Sequence, residues 1–166
     1  MISKLTIVRG FVLVLSLASA LSVAGCGSKK ADEDSTPTAP GIDENVLGDS
    51  DSGRAVGLQT VNYPYDSFIL DGDAKARLQS NAQILKDKTS LRIQIEGHCD
   101  SRGGIQYNIA LGEKRANSAR KFLMDLGIEG DRITTISYGK ERPLSTGSTE
   151  EDFARNRRAN FVITSR

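Results

Sequence analysis

A chain of 166 residues, 38% hydrophobic and 26% charged with no tryptophan, has room for one compact core and not for two. Its 22 Lys and Arg against 21 Asp and Glu leave a formal net charge of +1. That balance lacks the basic excess of a polyanion-binding module and argues against a nucleic-acid partner.

The first 25 residues stand apart from the fold. Lys4 and Arg9 make a short basic start, Phe11 to Leu21 is an apolar run, and small residues follow, as in a cleaved secretory signal. The run is too short for a comfortable membrane span. Without Lys4 and Arg9 the chain holds 20 basic residues against 21 acidic ones. The signal closes on Leu21-Ser22-Val23-Ala24-Gly25-Cys26, which resembles a bacterial lipobox. That resemblance implies a diacylglycerol on the Cys26 sulfur, cleavage just before it, and acylation of the new amino group. Each buried methylene contributes about 0.8 kcal/mol, so several acyl chains hold firmly where a single chain binds only marginally. With Cys26 lipidated, Cys99 has no disulfide partner. Gly27, in place of an acidic residue, resembles the sorting signal that directs a lipoprotein to the outer membrane.

Residues 26–57 then read as the lipidated cysteine followed by a flexible tether. Gly, Ser, Asp, Glu, Thr and Pro dominate, and the scattered apolar residues follow neither a strand nor a helix period. Such a coil of about 30 residues spans on the order of 30 Å. The folded domain is expected over 58–166.

Its elements follow in order. Leu58 to Tyr65 is rich in β-formers and ends against Pro64, which fits an edge strand. Asp71-Gly72-Asp73 supplies helix-start chemistry ahead of Ala74, Leu78, Ala82 and Leu85, one apolar stripe of a helix. Leu91 to Glu96 alternates apolar and polar residues and reads as a second strand, closed by Gly97. Ile109, Gly112, Ala116, Ala119, Leu123 and Leu126 recur every three or four positions, a second helix stopped at Gly127. Arg132 to Tyr138 and Arg158 to Thr164 read as two more strands, with a helical turn over Phe153 to Asn156 between them. The order βαβαβ-β predicts an α/β (α+β sandwich) domain with helices on one face of a mixed four-stranded sheet.

Polar chemistry gathers beyond the second strand, where strand ends and helix starts form ligand crevices. Gly97-His98-Cys99-Asp100-Ser101-Arg102-Gly103, Tyr107-Asn108-Ile109, Leu111-Gly112-Glu113-Lys114-Arg115-Ala116-Asn117, Ser137-Tyr138-Gly139-Lys140-Glu141 and Asn156-Arg157-Arg158 resemble, in order and spacing, the OmpA-like peptidoglycan-binding domain family. The likeness runs from about Val61 to the C-terminus. It implies a domain that grips peptidoglycan through a diaminopimelate residue of the stem peptide. By position, Asp100 and Arg115 would hold the two ends of that residue, assisted by the loop backbone at Cys99 and Gly103, by Asn108 and by Arg157. Where family members commonly carry an acid in the first strand this chain has Pro64, and Asp66 is the candidate substitute. The resemblance further implies TolB and other Tol proteins as partners. An OmpA-like domain on a lipid anchor also fits a flagellar or secretion assembly of the envelope.

The site chemistry agrees with those roles. An amino-acid head carries an ammonium and a carboxylate, so its receptor needs an acceptor-only group and a forked donor, which Asp100 and Arg115 supply. On that basis alanine at either position would abolish wall binding and spare the fold. His98-Cys99-Asp100 also invites a nucleophile-and-base reading. If the strand continues through them, however, His98 and Cys99 project to opposite faces. His98 is the one histidine of the chain, so neither a zinc site nor a second base is available. A non-enzymatic domain without cofactors is expected, with His98 a hydrogen-bonded structural residue.

Overall fold

The computed structural model describes residues 47–166. Cys26, the expected signal segment and the first part of the expected tether lie outside the described residues. The elements are β1 (Val61–Asn62), α1 (Gly72–Asp87), β2 (Arg92–His98), α2 (Ile105–Asp125), β3 (Ile133–Gly139), α3 (Glu150–Asn156) and β4 (Arg158–Ser165), with a 3-10 turn over Gly130–Arg132. The sheet order is β1-β4-β2-β3. β2 runs parallel to β3 and antiparallel to β4, which in turn runs antiparallel to β1.

The expected α/β architecture is present, and its periodicities explain the core. Ile93 and Ile95 on β2 and Ala159, Phe161 and Ile163 on β4 point to one face, where they meet Leu78, Ala82 and Leu85 of α1 and Ala116, Ala119 and Leu123 of α2. Burying each large aliphatic or aromatic side chain contributes roughly 1.5–3 kcal/mol, and this face holds most of them. Asp71 caps α1, its side chain accepting from the Ala74 N–H at 2.8 Å. At the other end Arg132 donates to the carbonyls of Leu85, Lys88 and Leu91 at 2.8–3.0 Å. One cation thus satisfies carbonyls that the end of α1 leaves open.

Contact between α2 and the sheet is closer than side chains permit. A Cβ added at Gly97 would lie 1.8 Å from the Gly112 carbonyl oxygen, and one at Gly112 would lie 2.3 Å from the Ser137 hydroxyl. Two glycines facing each other therefore let the helix rest backbone to backbone on β2. One turn beyond Gly112, Arg115 is brought beneath the end of that strand.

Three sequence expectations need correction. Residues 47–57, assigned by composition to the tether, pack on the domain: the Leu47 and Ser50 N–H groups donate to the Ile163 and Phe161 carbonyls at 3.0 Å, and Ala55 is fully buried. Their polar side chains, which read as linker composition, instead satisfy β4. Ser50 donates to Asn160 at 2.8 Å, and Asp51 pairs with buried Arg158 at 2.7 Å. The first strand is shorter than expected, because the Gln59 backbone is held on both its N–H and its carbonyl by the Asn81 side chain, at 2.8 and 2.9 Å. The last helix starts earlier, at Glu150, since Thr149 and Asp152 form a capping box.

Candidate functional site

β2 gives way to a loop whose shape is set by few but specific bonds. The Cys99 N–H donates to the Gly139 carbonyl at 2.7 Å, which ties the strand end to β3. Asp100 then turns the chain by accepting from the Arg102 N–H at 3.1 Å. Gly103 sits at φ +84°, a left-handed conformation that favours glycine. Buried Asn108, in the first turn of α2, donates to the carbonyls of Arg102 and Gly104 at 2.7 and 3.1 Å. From β3's side, Lys140 donates to the Gly103 carbonyl at 2.7 Å. Fixing a residue's backbone costs about 1–2 kcal/mol, so a loop held on three sides meets a ligand with that cost already met.

The loop closes a cavity of about 180 Å³ between the 65–66 segment and α2. Asp66, Cys99, Asp100, Gly103, Asn108 and Arg115, six of the seven positions expected to contact a ligand, line it. Arg157 does not. It stands behind Asp100, with Nη1 3.4 Å from Oδ2, and donates through Nε to the Tyr63 carbonyl at 3.2 Å.

Arg115 is 1% exposed. Its guanidinium donates to the Ser67, His98 and Pro64 carbonyls at 2.8, 2.8 and 3.1 Å, which accounts for three of its five N–H groups. Burial pulls its pKa below the ordinary arginine value, yet guanidinium stays charged in proteins. Pro64, in the first-strand segment, helps hold Arg115 through its carbonyl. Asp100 is the complementary charge. Burial raises its pKa, but the side-chain and backbone hydrogen bonds from Arg102, with Arg157 behind, outweigh that and hold it below the usual carboxylate range. Asp66 lies at the rim with its carboxylate accepting from the Tyr107 hydroxyl. The Cys99 thiol is pushed up by burial and donates to the Asn108 carbonyl at 3.3 Å, so it is a packed thiol rather than a thiolate.

His98 is buried on the other side of the strand, its ring stacked on Tyr138 at 5.7 Å. The hydrogen-bonded histidine expected from sequence is not what the structure holds. Nε2 lies 3.4 Å from Glu96 Oε2, an ionic contact without hydrogen-bond geometry, and neither ring nitrogen has a hydrogen-bond partner among the described residues. Burial lowers the His98 pKa against the opposing pull of Glu96. Because the unfolded chain binds the proton more readily, stability is full above the unfolded pKa near 6.5 and declines as pH falls toward the folded value. One proton limits the slope to about 1.4 kcal/mol per pH unit. His98→Gln is expected to flatten the fall of Tm in that window, as read by thermal melts from pH 7.5 to 4.5. An unchanged profile would assign the acid sensitivity to other groups.

Sequence reasoning gave no role to Arg102, Tyr65, Tyr107, Leu111 or Glu150. The first four line the cavity. Arg102, Tyr107 and Leu111 lie inside the motifs that carried the resemblance, and that position was the available signal. Glu150 reaches the site only through the fold, as the residue that pairs with both Arg102 and Arg157.

A mixed β1-β4-β2-β3 sheet with helices on one face and a charged crevice beyond β2 defines an OmpA-like domain, and residues 62–157 match the OmpA family. The chain belongs to that family. Among curated proteins, it is 36% identical over 162 residues to the peptidoglycan-associated lipoprotein of Pseudomonas aeruginosa, covering 92% of this chain and 95% of that one. The peptidoglycan-associated lipoprotein of Mesorhizobium japonicum is 37% identical over 159 residues, covering 92% and 91%. Among solved structures, the peptidoglycan-associated lipoprotein from Burkholderia pseudomallei superposes with a TM-score of 0.61 at 39% identity, over 63% of this chain and 88% of that one. The C-terminal domain of Helicobacter pylori MotB, at 19% identity and a TM-score of 0.62 over 66% and 87%, shares the fold.

Proposed function

We propose that this protein is a lipid-anchored envelope protein that binds peptidoglycan without cleaving it, joining the outer membrane to the wall. In this reading residues 1–25 are the signal, Cys26 carries the lipid, and Asp100 and Arg115 receive the ammonium and carboxylate of a diaminopimelate residue. The observation that carries it is the cavity itself. A buried guanidinium hydrogen-bonded to neutral carbonyls and an ionised aspartate line the same small space, which suits a zwitterionic amino-acid head. Relatives named peptidoglycan-associated lipoproteins, aligned along nearly the whole chain, support the same reading. A place beside TolB and other Tol proteins follows from that likeness.

Binding without cleavage fits the chemistry around His98 and Cys99. The ring stacks on Tyr138 while the thiol bonds the Asn108 carbonyl, so the two share no proton. The purified mature protein in detergent is expected to sediment with peptidoglycan sacculi and release no soluble fragments. Fragment release would make it a hydrolase, and failure to sediment would leave a protein-interaction role in its place.

A further inference from the structure

The charged groups around Asp100 form a closed ring. Arg102 grips the carboxylate as a fork, Nε to Oδ1 at 3.3 Å and Nη2 to Oδ2 at 2.6 Å. Its third nitrogen, Nη1, lies 3.5 Å from Glu150 Oε2. Glu150 Oε1 meets Arg157 Nη2 at 2.8 Å, and Arg157 Nη1 returns to Asp100 at 3.4 Å. In the free protein both oxygens of the proposed ammonium acceptor are thus already taken by a cation.

Arg102 is the more exposed of the two cations in the ring. Its side chain is 36% exposed, whereas those of Asp100 and Arg157 are 6% and 8% exposed. The guanidinium lies between the rings of Tyr65 and Phe153, 4.2 and 4.3 Å from their centroids. Stacking of this kind tolerates a small shift, since a cation within about 6 Å of a ring centroid is still attracted to it. A shift of Nη1 toward Glu150 by about 0.6 Å would turn the 3.5 Å gap into a charge-assisted hydrogen bond. Glu150 itself is 61% exposed, so accepting a second cation desolvates it little.

We infer that Arg102 is a specificity-determining residue of this site: it holds the place on Asp100 that a ligand ammonium takes, and Glu150 receives the displaced guanidinium. This rests on the reading of Asp100 as the ammonium acceptor. Ligand entry is then an exchange of cations on one carboxylate. A ligand with a free ammonium replaces what Asp100 loses, whereas one without an ammonium leaves Arg102 in place and gains nothing from Asp100. Binding strength is therefore set by a difference between two ion pairs, a device that rejects the wrong ligand at some cost to the right one.

Calorimetric titration of the mature protein in detergent with free meso-diaminopimelate tests the exchange, and pimelate, the same dicarboxylate without its amines, serves as the control. Arg102→Gln should bind diaminopimelate several-fold more tightly and gain nothing for pimelate. Glu150→Gln, which strands Arg102 on Asp100, should bind diaminopimelate several-fold more weakly. The double variant should keep most of the gain of Arg102→Gln, since the remaining path from Glu150 to Asp100 runs through Arg157 and ends in a 3.4 Å contact. Weaker or unchanged binding by Arg102→Gln, an equal gain for pimelate, an unaffected Glu150→Gln, or additive effects in the double variant would each overturn the exchange. Failure of the underlying reading shows separately, as wild-type diaminopimelate affinity in Asp100→Asn.

Discussion

Asp100→Asn is expected to reduce retention on sacculi by at least a hundredfold. The amide keeps the size of the side chain and can still accept from the Arg102 N–H, so the turn at the loop has a replacement acceptor. What disappears is the negative charge, and with it the reason for an ammonium to enter. Removing one partner of a buried pair costs about 3–5 kcal/mol, and 1.4 kcal/mol is about tenfold in affinity. Wild-type sedimentation by this variant would end the site assignment. The lowered Asp100 pKa adds a pH signature. A carboxylate depressed in the folded state stays ionised below the ordinary aspartate value near 3.9, and its contribution is lost only as pH falls through the folded value. Sedimentation should therefore persist through pH 4 and be lost only at more acidic pH, below the ordinary aspartate range.

The companion change at Arg115 needs more care than sequence reasoning gave it. As a helix arginine it was expected to tolerate alanine without harm to the fold. Instead it bridges the 64–67 segment, the end of β2 and α2 through carbonyls of Ser67, His98 and Pro64. Removing it leaves three acceptors in a buried place, each with a desolvation cost. Arg115→Lys, which retains a cation, is the more informative variant, because it loses the planar fork while sparing much of the charge compensation.

What could be read in the sequence followed from periodicity and what could not depended on contacts across the fold. Leu91 to Glu96 and the stripe from Ile109 to Leu126 identify β2 and α2 because local spacing alone decides which face is apolar. The two glycines 97 and 112 were noticed only as a strand stop and as one small member of a helix stripe, since nothing local shows that they touch. The segment 47–57 misled for a related reason: composition measures how much apolar surface a segment can bury by itself. It is silent on a β4 edge with carbonyls to satisfy and a buried Arg158 in need of Asp51. At the site, motif positions located Asp100, Asn108 and Arg115. Glu150, 50 positions along the chain from Asp100, is brought near by the start of α3, where the sequence shows an acidic first turn like many others.

The larger effect on stability is expected at Gly97. An alanine there would set its methyl 1.8 Å from the Gly112 carbonyl oxygen, with the carbonyl carbon 2.5 Å away and Gly112 Cα 3.1 Å away. All three are backbone atoms, so no rotamer change relieves the clash. Relief requires α2 to lift from β2, and the helix cannot lift locally, because Ala116, Ala119 and Leu123 are fully buried in the core. Overpacking in a well-filled core typically costs about 1–3 kcal/mol when side chains can yield, and more is expected where the obstacle is backbone. Against a stability of about 5–15 kcal/mol for a whole domain, that is a large fraction. Gly97→Ala should lower Tm by about 10 °C or more, given about 4 °C per kcal/mol for a domain of this size. It should also weaken ligand binding even where the protein remains folded, because Arg115 reaches the His98 carbonyl from the turn of α2 that the clash displaces. Asp100→Asn, by contrast, should weaken binding strongly with a smaller fall in Tm, because its amide still accepts from the Arg102 N–H and no backbone is displaced. A Gly97→Ala protein with wild-type Tm and binding would show that α2 and β2 do not meet through their backbones.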